Sequence, residues 1–139
     1  MATHRLPTCL LAAACALGAS LALADEIKVN LSGSQEVPPV TTSAKGSGTV
    51  TINPDKTVAV NVTTSGIDAT MAHIHMAASG QNGPVIVPFT KKGDAWVAQP
   101  GAKLTDEQYA AYKAGKLYVN VHSAAHPGGE IRDQIQAPK

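Results

Sequence analysis

The stretch Thr49-Val50-Thr51-Ile52-Asn53-Pro54-Asp55-Lys56-Thr57-Val58-Ala59-Val60-Asn61-Val62 decides the fold. Apolar and polar side chains alternate on both sides of Asn53-Pro54-Asp55-Lys56, a cluster of turn-forming residues. Period-two alternation across such a turn predicts an antiparallel hairpin. Working outward, Ile27 to Leu31 precedes it, and Ala72 to Met76, Pro84 to Phe89, Ala95 to Ala98, Leu117 to His122 and Glu130 to Ile135 follow, all short and β-branched or alternating. Eight such segments, separated by Gly, Pro, Asn and Asp, predict an all-β domain, an antiparallel Greek-key-like β-sandwich of two layers. One stretch breaks the period: Thr105 with Gln108 forms a capping-box pattern ahead of Tyr109 to Ala114, and Gly115 follows, so a short helical insertion is expected over residues 105–114.

Composition narrows the function classes. The 139 residues carry a formal net charge of +1, 15% charged and 4% aromatic side chains, 12 Gly and 9 Pro. A charge so close to zero provides no global field for nucleic acid or an anionic membrane, so neither is expected as a partner. Residues 1–24 read as a secretory signal: Arg5, an apolar run from Leu10 to Leu23, and Ala22-Leu23-Ala24 before Asp25. The run is shorter than the ~20 residues that cross a bilayer, so no membrane span is expected. Cleavage after Ala24 leaves 115 of the 139 residues, with basic and acidic side chains equal in number, as a single periplasmic or secreted domain over 25–139. Cys9 and Cys15 both lie in the signal, which removes disulfides and thiolate metal sites from the exported chain.

The functional signal is the placement of histidine. Residues 25–139 contain four, His73, His75, His122 and His126, in two strand-associated segments. In Ala72-His73-Ile74-His75-Met76 the two imidazoles share one face, with Cα atoms about 6.5–7 Å apart, while Ala72, Ile74 and Met76 take the other. In Leu117-Tyr118-Val119-Asn120-Val121-His122 the apolar residues face the core and Tyr118, Asn120 and His122 face away. If these strands are neighbours, His73, His75 and His122 form a three-imidazole site suited to copper or zinc, with His126 as the natural fourth ligand once residues 123–125 turn back. Met71 shares the parity of His73 and His75, and its thioether suits Cu(I). The alternative is that the histidines are surface or loop-end residues of a metal-free interaction or adhesion module.

Three ordered motifs extend the reading to a family. Leu31 to Val40 (LSGSQEVPPV), Ala72-His73-Ile74-His75 with Gly83-Pro84-Val85, and Gly115 to His122 followed by Pro127-Gly128-Gly129-Glu130-Ile131-Arg132 resemble the CHRD domain, named for chordin and found singly in exported bacterial proteins. The resemblance implies a compact β domain working outside the cytoplasm and no settled activity. The order His-x-His, a later strand-end His, a Gly-Gly loop and an Arg is also similar to the copper/zinc superoxide dismutases. That likeness implies His73, His75 and His122 as copper ligands and Arg132 as the cation that guides an anionic substrate, a dismutase-like catalytic role. Against it stand the missing disulfide, too few histidines for a zinc subsite and no evident bridging histidine.

The remaining motifs have ordinary readings. Glu36, beside Val37-Pro38-Pro39, is expected to orient a histidine as a carboxylate partner or to pair with Arg132. Glu130 and Arg132 share parity on the last strand, and a cross-strand ion pair is the ordinary expectation for each; Ser79-Gly80-Gln81-Asn82-Gly83 reads as a turn.

Overall fold

In the computed structural model, which describes residues 18–19 and 21–139, eight strands and one helix follow each other in the predicted order. They are β1 Asp25–Ser32, β2 Lys45–Ile52, β3 Val58–Ser65, β4 Ala69–Met76, β5 Val85–Lys92, β6 Ala95–Ala98, α1 Asp106–Lys113, β7 Leu117–Ser123 and β8 Ile131–Ile135. The signal expected over residues 1–24 lies for the most part outside the described residues. No described helix is long and apolar enough to cross a membrane.

The hairpin that set the class forms β2 and β3 in the register Ile52↔Val58 and Val50↔Val60. Its turn is held by Lys56 N–H donating to the Asn53 carbonyl at 2.8 Å and by Asp55 accepting from the Thr57 amide and hydroxyl. The helix begins as its sequence predicts. The Thr105 hydroxyl accepts from Gln108 N–H, and the Gln108 side chain accepts from Thr105 N–H, the two bonds of a capping box.

The sandwich expectation is corrected. All strand pairings are antiparallel, but they run β1-β2-β3-β6-β5-β4-β7-β8 and close into one barrel, with β3 beside the β4-β5-β6 meander in Greek-key fashion. The alternation of each strand specifies an inner face and says nothing about whether the outermost strands meet. Here they meet at a thin seam: Ser32 pairs with Arg132, and the Asn30 amide donates to the Asp133 side chain at 2.8 Å. Inside, Leu31, Val50, Val62, Ile74, Val119 and Ile131 are among the fully buried side chains. Helix α1 covers the end where β1 and β3 begin, with buried Tyr112 donating to Asp25 at 2.7 Å and Lys113 pairing with the same carboxylate at 2.8 Å.

One inward position demands glycine. A Cβ on Gly48 would press into the Asn61 carbonyl oxygen of β3 and lie 2.7 Å from Val62 Cα. Overpacking of this kind costs about 1–3 kcal/mol. Gly48→Ala is therefore expected to lower the thermal unfolding midpoint by several degrees, read by circular dichroism; an unchanged midpoint contradicts the close approach of β2 and β3.

Candidate metal centre

Strands β4 and β7 are neighbours, as the three-histidine reading requires. Their register places Met71 opposite His122, His73 opposite Asn120 and His75 opposite Tyr118, while β8 sets Arg132 opposite Asn120. All of these residues share the outer face of the barrel, because Ala72, Ile74, Val119 and Val121 occupy the inner one. That outer face is not bare. His75, Tyr118, Asn120, His122 and Arg132 are all buried, and His73 is half-buried.

Loops provide the cover. Residues 33–44 fold over the outer face from one end of the barrel, and residues 77–84 from the other. Asn82 ties them together: its amide donates to the Val37 carbonyl at 2.8 Å, and its oxygen accepts from Arg132 at 3.1 Å. Arg132 also donates to the Gln81 carbonyl at 2.6 Å, and its guanidinium lies 3.4 Å from the Tyr118 ring centroid. His75 stacks on Tyr118 with ring centroids 4.9 Å apart and planes 7° from parallel. Since β4 and β8 flank β7, the Tyr118 ring is held between an imidazole and a guanidinium.

The three imidazoles converge. One ring nitrogen from each of His73, His75 and His122 lies within 4.8 Å of the other two. His75 Nδ1 is 2.9 Å from the Gly83 carbonyl and His122 Nδ1 is 2.8 Å from the Pro127 carbonyl. A carbonyl only accepts, so both Nδ1 atoms carry the proton and, in the neutral rings, both Nε2 atoms are bare lone pairs. His75 Nε2 is buried with no hydrogen-bond partner. His122 Nε2 is 3.1 Å from His73 Nδ1, so His73 donates to it in the metal-free chain. An ion at this point would replace that one shared proton, and backbone carbonyls holding the far side of two rings are the arrangement typical of metal-bound histidine.

Charge at the site is suppressed. Burial lowers His73 to about 4, with the neighbouring His122 and His75 adding to the effect. Burial also lowers His75, against the Gly83 carbonyl, which favours its protonated form. Neutral imidazole is the form that binds metal. Glu36 moves the other way: burial pushes it up to about 7, opposed by the Arg132 charge and by contacts with Asn120 and the Val37 amide. Its Oε1 has no hydrogen-bond partner, and both Glu36 Oε1 and Asn120 Nδ2 would lie 2.6 Å from a Cβ on Gly129, whose φ of 121° already favours glycine.

Several expectations change. The chain turns back after His122 as anticipated, through Ser123 and His126 exchanging backbone hydrogen bonds, but the turn delivers the Pro127 carbonyl to the site. His126 itself lies outside the three-histidine group, lining a cleft with residues 36–41. Arg132 is 2% exposed and committed to Gln81, Asn82 and Tyr118, so it is not presented to an approaching anion. Neither Glu130 nor Arg132 forms a cross-strand ion pair among the described residues; Glu130 instead accepts from Thr42 at 2.7 Å. Glu36 touches Asn120 and not a histidine. The part played by Gln81, Asn82 and Gly83 was missed, although two side-chain amides beside a glycine in a turn mark a segment able to satisfy buried polar groups.

A carboxyl raised from 4.5 to about 7 binds protons more tightly folded than unfolded, so the folded state loses stability as pH climbs through that window and is level above it. For Glu36 the full loss is about 3 kcal/mol. In denaturant unfolding of the metal-free protein, Glu36→Gln is expected to gain on the wild type steadily from pH 4.5 to 7 and by a constant margin beyond; parallel curves would show Glu36 to be solvated.

The comparisons with known proteins agree with the motif reading. No curated protein and no solved structure is similar enough to match the chain. The family model of the CHRD domain matches residues 27–135, from Ile27, the first core residue of β1, to Ile135 at the end of β8. The chain therefore belongs to the CHRD domain family.

Proposed function

We propose that this CHRD domain is exported and holds one transition-metal ion, copper in preference to zinc, between His73, His75 and His122. The observation that carries the reading is the pair of carbonyl-locked rings: Gly83 and Pro127 fix the Nδ1 protons of His75 and His122, leaving both Nε2 lone pairs free of a proton in a group whose three rings each bring a nitrogen within 4.8 Å of the others. A buried, unpartnered imidazole nitrogen such as His75 Nε2 is unfavourable unless something binds it. Three neutral nitrogen donors without carboxylate or thiolate suit copper and zinc, and such a set binds Cu(II) more tightly by the Irving–Williams order. Half-exposed His73 is the side from which the ion enters.

Storage or transfer of the ion is favoured over a dismutase-like redox reaction, because the one cation suited to guiding superoxide, Arg132, is enclosed beneath residues 77–84. A metal-free interaction module leaves the convergence of the three rings without a purpose.

Metal analysis and calorimetry test the reading. The purified protein is expected to take up one equivalent of Cu(II), and His73→Ala with His75→Ala to abolish stoichiometric binding; absence of copper and zinc uptake by the folded wild type contradicts it. The copper-loaded protein is expected to leave superoxide decay at the rate of the buffer. Acceleration of superoxide decay by the copper-loaded wild type would restore the enzymatic reading.

A further inference from the structure

His126 lies outside the three-histidine group, so the three imidazoles lack that fourth donor, and the register offers other neighbours to consider. Around half-exposed His73 the outer-face neighbours are Pro88 on β5, Asn120 on β7, and Met71 and His75 along β4 itself. Proline has no donor. The Asn120 side chain is 2% exposed, with its N–H group toward Glu36. Its Oδ1 is buried without a hydrogen-bond partner, but an amide oxygen is a hard donor that does not suit Cu(I). Met71 remains, directly opposite His122 and two residues from His73 on the same face. Directly opposed residues of an antiparallel pair have Cβ atoms about 4.5–5.5 Å apart, and methionine adds a flexible arm ending in a polarizable sulfur.

Met71 is 48% exposed, one of two large apolar side chains so exposed within the barrel. An isolated exposed methionine is unremarkable by itself. This one stands at the open rim of three convergent imidazoles, and β4 keeps it there. The bulge between Ala69 and Met71 absorbs an extra residue, so Met71 still faces His122 while the Thr70 hydroxyl donates to the His122 carbonyl at 3.3 Å.

We infer that the Met71 thioether is a fourth, oxidation-state-selective ligand that closes the His73, His75 and His122 site around Cu(I) and leaves it open for Cu(II) or Zn(II). The inference rests on the metal-binding reading above. Thioether sulfur is a soft donor that favours Cu(I) and adds little for Zn(II) or Cu(II) beside imidazole. Exposure lets the arm swing between solvent and ion, so the same side chain that completes the Cu(I) site can also open it for transfer.

The test is Cu(I) affinity by competition with a chromophoric Cu(I) chelator under reducing conditions, paired with Zn(II) affinity by calorimetry, for the wild type, Met71→Leu and Met76→Leu. Leucine preserves apolar bulk at an exposed position, so folding is expected to be intact. Met71→Leu should weaken Cu(I) binding at least tenfold and change Zn(II) binding less than twofold, and half-buried Met76→Leu should change neither. Equal loss of both ions in Met71→Leu, or Cu(I) affinity within twofold of wild type, overturns the Met71 assignment while leaving the histidine site standing. Failure of the wild type to bind either ion overturns the site and the Met71 assignment with it. X-ray absorption of the Cu(I)-loaded wild type should contain a sulfur shell that Met71→Leu lacks; a nitrogen-only shell in the wild type contradicts the assignment.

Discussion

Two backbone carbonyls, those of Gly83 and Pro127, determine what this barrel presents to its surroundings. Each receives the Nδ1 proton of an imidazole on the outer face, from His75 and His122 respectively. An imidazole free in water rotates and exchanges its proton between nitrogens; one held at Nδ1 has its orientation and its tautomer fixed. The folded barrel meets the first requirement by making β4 and β7 neighbours in a register that brings the rings together. The loops meet the second by placing carbonyl oxygens where the far sides of the rings arrive.

The loops depend in turn on buried polar chemistry. Arg132 holds residues 77–84 through Gln81 and Asn82, and Asn82 reaches across to Val37 in the opposite loop. With Tyr118 stacked between Arg132 and His75, the cation supports the histidine layer from behind. An arginine that looks in sequence like an anion-guiding group is therefore a fastener in the fold, and its burial follows from carrying three partners. Glu36 completes this layer as a carboxyl whose burial disfavours its charge, beside an asparagine that Gly129 alone leaves room for.

Much of this was legible because it is local. Alternation located all eight strands, Asn53-Pro54-Asp55-Lys56 located the first turn, and Thr105 with Gln108 located the helix start. The parity of His73, His75 and His122 was equally local and placed them on one outer face. What escaped was non-local. Closure of the barrel rests on one residue pair and an Asp133 side-chain bond, neither of which has a periodic signature. The covering of the histidine face depends on loops from opposite ends meeting at Asn82, so residues expected in solvent are buried. His126 was misplaced for a related reason: sequence shows that the chain turns back, and only the turn's hydrogen bonds decide that Pro127 O, and not the His126 ring, faces His122.

The central claim is that the metal-free fold already holds two Nε2 lone pairs ready for an ion. Long-range 15N–1H correlation spectroscopy of the metal-free protein at neutral pH reads the tautomer of each ring. His75 and His122 are expected in the neutral Nδ1–H form, and Zn(II) should shift both Nε2 resonances while leaving the Nδ1 protons in place. Nε2–H tautomers in the metal-free protein, or loss of the Nδ1 protons when metal is added, would contradict the account.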